Sequence, residues 1–140
     1  MAVSGSRHLR RGGRGRLRGG PAPRHLAGTP LGEQSRVHID DESNEVFTAA
    51  LSISEIVSRG ARGGENARTL AERIESASVV VPLDFTLAVS TGLIHAERRK
   101  KVKDFPYGDA AVVAVARRMK ARILTGDPHF RDEPQVIYLG

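Results

Sequence analysis

From Val46 onward the apolar positions fall into short runs that alternate between strand and helix periodicity. Val46-Phe47-Thr48-Ala49-Ala50-Leu51 is a β-prone run, and Ser52-Ile53-Ser54-Glu55 opens a helix directly after it. Residues 66 to about 77 predict a second amphipathic helix, with Leu70, Ile74 and Ala77 at helical spacing. Ser78-Val79-Val80-Val81-Pro82 reads as a buried strand. Residues 85 to about 101 predict a helix whose apolar set is Leu87, Ala88, Leu93 and Ile94 and whose end is basic, as suits the macrodipole. A strongly apolar helix is predicted over 109–120, a strand over 122–125 and a last strand over 135–139. Strands alternating with helices predict an α/β fold whose parallel sheet is covered on both faces. In such sheets ligands bind beyond the carboxyl ends of the strands. The residues that follow each strand are therefore the ones that could carry chemistry.

The first 32 residues differ in kind. They hold seven Arg, eight Gly and three Pro, with no acid, no aromatic residue and neither helix nor strand periodicity. That composition cannot bury enough apolar surface to offset ordering. The whole of the chain's +6 charge resides there, because residues 33–140 carry fifteen Lys plus Arg against sixteen Asp plus Glu. Residues 1–32 are expected to be a low-complexity segment, disordered or the product of a miscalled or frameshifted start, and residues 33–140 a domain. A basic arm that touches nucleic acid is the other functional reading of the segment. The chain has no cysteine, which excludes a disulfide framework, a thiolate nucleophile and a Cys-based zinc site. No run approaches the roughly 20 apolar residues of a membrane helix, and no apolar segment follows the N-terminal arginines as in a secretory signal. A cytoplasmic protein that does not engage a membrane is expected. No Gly-rich phosphate loop is present, since Gly60-Ala61-Arg62-Gly63-Gly64 follows a helix rather than a strand.

Three acids stand where a strand ends or a helix begins: Glu55, Asp109 and Asp127. In a parallel sheet they converge on one edge, where like charges repel unless a divalent cation neutralises them. Oxygen ligands without Cys or paired His favour Mg²⁺ or Mn²⁺ over zinc. Each acid also has a structural reading. Ser52-x-x-Glu55 fits a capping box, Asp109 suits the first turn of a helix, and Asp127-Pro128 starts turns.

Three segments together resemble the C-terminal two-thirds of a PIN domain, the fold of VapC-type toxin ribonucleases. They are Thr48-Ala49-Ala50-Leu51-Ser52-Ile53-Ser54-Glu55, Phe105-Pro106-Tyr107-Gly108-Asp109 with its apolar continuation to Ala116, and Ala121-Arg122-Ile123-Leu124-Thr125-Gly126-Asp127-Pro128-His129-Phe130. The resemblance implies a three-layer α/β/α fold and metal-dependent cleavage of single-stranded RNA at three or four acids. Glu55, Asp109 and Asp127 match the second, third and fourth of them as catalytic and metal-binding residues. Thr125 matches a supporting hydroxyl. The resemblance also implies a cognate antitoxin and a homodimer as candidate partners.

One feature of that family is missing. Its first strand lies near the middle of the sheet and ends in Asp, whereas here no acid precedes Glu33 and Asp40 and Asp41 lie too close to Glu55. A catalytically inactive PIN-like module that binds RNA or an antitoxin is therefore the alternative to an enzyme. Arg98, Arg99, Lys100, Lys101 and Lys103 are candidates to line an RNA path, or else form a solvated helix end. His129 is a candidate phosphate contact, or a turn residue, and His95 reads as an exposed helical histidine.

Overall fold

The computed structural model describes residues 2–6, 44–125, 127, 130, 133 and 136–138. In chain order they form β1 (Ala2–Ser6), β2 (Asn44–Ala49), α1 (Ala50–Arg62), α2 (Ala67–Ala77), β3 (Val79–Val81), α3 (Phe85–Arg99), α4 (Tyr107–Met119), β4 (Arg122–Thr125) and β5 (Val136–Tyr138). The sheet order is β3-β2-β1-β4-β5. β2 pairs parallel to β3, and β4 parallel to β5, while β1 is antiparallel to both of its neighbours. The four outer strands therefore run the same way and share one carboxyl edge.

β1 departs from the sequence reading. Ala2–Ser6 belongs to the Arg/Gly-rich stretch, where no strand is expected, yet it forms the middle strand. Strand pairing is made by backbone groups, so a short stretch without apolar alternation can still fill a gap between two strands. Its direction matters more. Ala2 lies opposite Thr48 and Ser6 opposite Asn44, so the beginning of β1, not its end, reaches the carboxyl edge of β2 and β4.

The core is built around α4. Gly108 through Ala116 are all buried, as expected of a helix enclosed on every side. It packs on β1, β2 and β4 and against α1 and α3. Its alanines and valines share one cluster with Phe47, Leu87, Ile94, Phe105, Ile123 and Phe130. α3 buries Leu87, Thr91 and Ile94. That stripe leaves Ala88 exposed and Leu93 68% exposed, so two members of the expected apolar set face away from the core.

Local signals set the helix boundaries. The Asn66 side chain accepts from the Thr69 N–H at 3.2 Å and starts α2 where the pattern predicts. Asp84 caps α3 through the Leu87 N–H at 2.8 Å. It also takes a two-pronged contact from Arg118 at 2.8 and 3.0 Å, and these bonds hold its carboxyl down at about 2. α4 begins at Tyr107 rather than Asp109, because Pro106 supplies the cap position with a fixed φ and no N–H to satisfy. It stops at Lys120, whose φ of 49° is left-handed.

Candidate active site at the carboxyl edge of the sheet

β2 passes into α1 without a loop, since Ala49 ends the strand and Ala50 opens the helix. The helix thus starts two residues earlier than Ser52, and no side chain caps it. Ser52 is buried within the first turn and Glu55 falls in the second. The capping-box reading of Glu55 is overturned by this geometry.

The Glu55 carboxylate lies instead against α4. A β-carbon built on Gly108 would overlap both carboxylate oxygens and the carboxyl carbon of Glu55. Gly108 and Asp109 are the second and third residues of α4, and Asp109 is only 8% exposed. Two of the three candidate acids therefore meet at one helix N-terminus. Unpaired N–H groups and the positive end of the dipole make that a favourable place for negative charge. α4 ends just before β4 begins, at the amino side of the sheet, so its first turn lies on the carboxyl side.

This contact makes Gly108 a residue with a testable role. Alanine is the better helix former by up to about 1 kcal/mol, and the half-free Glu55 side chain can swing into solvent to make room. Gly108→Ala is expected to leave the thermal midpoint unchanged or slightly raised while reducing the stabilisation that added Mn²⁺ provides. Calorimetry with and without Mn²⁺ checks both halves. An undiminished Mn²⁺ response would show that Glu55 contributes nothing to ion binding.

Thr125 ends β4 and is buried. Its hydroxyl accepts from the Asp127 N–H at 3.0 Å, which fixes the main chain where it leaves the sheet. The Phe130 N–H then donates to the Asp127 carbonyl at 3.2 Å, and the Glu133 N–H to the Phe130 carbonyl at 3.0 Å. Phe130 is buried edge-on to Phe105, with ring centres 6.4 Å apart. Asp127 thus sits at the start of a turn, and the same carboxyl edge carries it, but it is not gathered with the other two acids. Among the described residues no group of three or more His, Cys, Asp or Glu could hold a metal ion.

Arg98 has a different task from the one the basic run suggests. Its guanidinium forms an ion pair with Glu133, and their side chains are 15% and 5% exposed. It also lies 5.8 Å from the Phe105 ring centre, and Arg117 approaches Glu133 at 3.7 Å. Arg98 is thus a tie between α3 and the segment that follows Asp127, not a cation on offer to solvent. Arg99, Lys100, Lys101 and Lys103 are exposed. Lys100 contacts Glu97 at 2.8 Å, which raises its pKa. His95 is half-buried and stacks on Tyr107, so the plain exposed-histidine reading does not hold. His129, Asp40 and Asp41 lie outside the described residues.

A family model, that of the PIN domain, matches residues 24–134. The chain belongs to the PIN domain family, a nuclease-type α/β fold whose members generally use divalent metal ions. No curated protein and no solved structure matches the chain. β1 lies outside the matched residues. It occupies the place expected of the family's first strand, but in the opposite direction. An acid at its end would lie on the wrong side of the sheet, so β1 brings no first ligand to the site. Glu55, Asp109 and Asp127 would offer only oxygen atoms to a cation, the donor type that suits a hard divalent ion.

Proposed function

We propose that this chain is a metal-dependent endoribonuclease of the VapC type that cleaves single-stranded RNA, weakened by lack of the first acid. The observation that carries the reading is the Glu55 carboxylate resting on Gly108 beside Asp109. A cap would turn toward its own helix, whereas this side chain reaches a different helix, at Gly108 beside Asp109. Glu55, Asp109 and Asp127 are the residues that would hold Mg²⁺ or Mn²⁺. Such an ion supplies an activated water and charge stabilisation at the leaving oxygen. Thr125 fixes the main chain that carries Asp127. Arg99, Lys100, Lys101 and Lys103 neutralise the phosphates of the strand on its way to the acids. A cognate antitoxin that covers the acids, and a homodimer, belong with this reading.

One observation favours the second reading, an inactive module that binds RNA or an antitoxin. β1 is antiparallel and places Ala2, not an acid, at the carboxyl edge opposite Thr48. Incubation of a labelled single-stranded RNA with Mn²⁺ separates the two. Slow cleavage that disappears with EDTA and in Asp127→Asn supports the enzyme. Binding without cleavage at any Mn²⁺ concentration supports the module.

A further inference from the structure

Tyr107 is a large aromatic residue left 59% exposed at the first position of α4. Its ring is not loose. The His95 imidazole lies parallel to it, with ring centres 3.7 Å apart and planes 10° from parallel. His95 belongs to α3 and Tyr107 to α4, so the stack joins two elements and leaves the ring's remaining surface to solvent. Two neighbourhoods meet at this stack. One turn along α3 from His95 begins the exposed basic run of Arg99, Lys100, Lys101 and Lys103. In the other direction, Gly108 with the Glu55 carboxylate over it and then Asp109 follow Tyr107 within a single turn.

We propose that the His95–Tyr107 stack is a nucleobase platform, on which Tyr107 receives one base of a single-stranded RNA. The strand then passes from the basic run to the acids. The inference rests on the RNA reading above and adds a base-binding position to it. Every base has a π-face, so such a platform holds a strand without reading its sequence. Because His95 already holds the ring, little side-chain freedom is lost when a base lands on it. The stack also explains why an exposed tyrosine stands at a helix start between a cationic surface and the Glu55 and Asp109 carboxylates.

The test is fluorescence anisotropy of a labelled twelve-nucleotide RNA in EDTA, so that the strand stays intact, with the full chain, Tyr107→Ala and Tyr107→Phe. Tyr107→Ala is expected to weaken binding by roughly five- to a hundred-fold, the range of one lost base stack. Tyr107→Phe should retain parent affinity. On a strand of the same length with an abasic tract, the alanine variant and the parent should bind alike. The dependence on salt should be the same in all three proteins, because the ring carries no charge. Parent-like binding by Tyr107→Ala overturns the platform while leaving the RNA reading intact. Equal weakening on the intact and abasic strands also overturns it, since the ring would then act through the fold. No RNA binding by the parent chain overturns the RNA reading, and the platform with it.

Discussion

Val113→Asp is expected to unfold the domain or to lower its urea midpoint by the equivalent of about 4 kcal/mol, the cost of an unpaired charge in a core. Val113 is 1% exposed, at the middle of a helix whose residues are buried for more than two turns. α4 packs on three strands and two helices, so no direction offers the carboxylate water. Domains of this size are stable by only about 5–15 kcal/mol, and the substitution removes a large share of that. A midpoint shift as small as that of a surface change, within about 0.5 kcal/mol, would mean that α4 does not lie in the core.

The second large effect belongs to Arg98. Removing it by Arg98→Ala leaves the buried Glu133 carboxylate, among the described residues, with the more distant Arg117, and breaking a buried pair in this way costs about 3 kcal/mol. Replacing both partners with apolar residues, Arg98→Met with Glu133→Leu, should recover most of the loss, since the pair's own net worth is small once desolvation is counted. Denaturant titration of the single and double variants reads this directly. If Arg98 were an RNA contact instead, Arg98→Ala would leave stability unchanged and lower only RNA affinity and its salt slope.

These two residues also show what the sequence makes legible. The apolar run within residues 109–120 announces an enclosed helix because every position from Ala110 to Ala116 is small or aliphatic, and the structure encloses that stretch. That Glu55 and Asp109 stand near the starts of helices and Asp127 just beyond a strand is legible from the α/β alternation alone. The role of Arg98 does not. Among the described residues, Arg98 of the run from Arg98 to Lys103 pairs with the buried Glu133 carboxylate, which lies 35 residues further along. Gly108 was open to inspection in one respect: glycine is a poor choice in the first turn of a helix, which signals a close approach without naming what approaches. β1 had no such signal, since its place in the sheet depends on backbone pairing between strands whose own sequences do not specify it.

The pairing of Glu55 with the Asp109 end of α4 is proposed to be the heart of a cation site, and the thermal midpoint with and without Mn²⁺ tests this most directly. An ion that binds only the folded chain stabilises it by linkage, by about 1.4 kcal/mol at tenfold its dissociation constant. The parent midpoint is expected to rise with Mn²⁺. Asp109→Asn keeps the shape of the side chain and removes one of two neighbouring negative charges, so without metal it should melt at least as high as the parent. With Mn²⁺ it should gain much less. Acids that serve only their own helices or turns would show the opposite pattern, a small loss on substitution that Mn²⁺ does not alter, and a parent midpoint indifferent to Mn²⁺ would contradict the site.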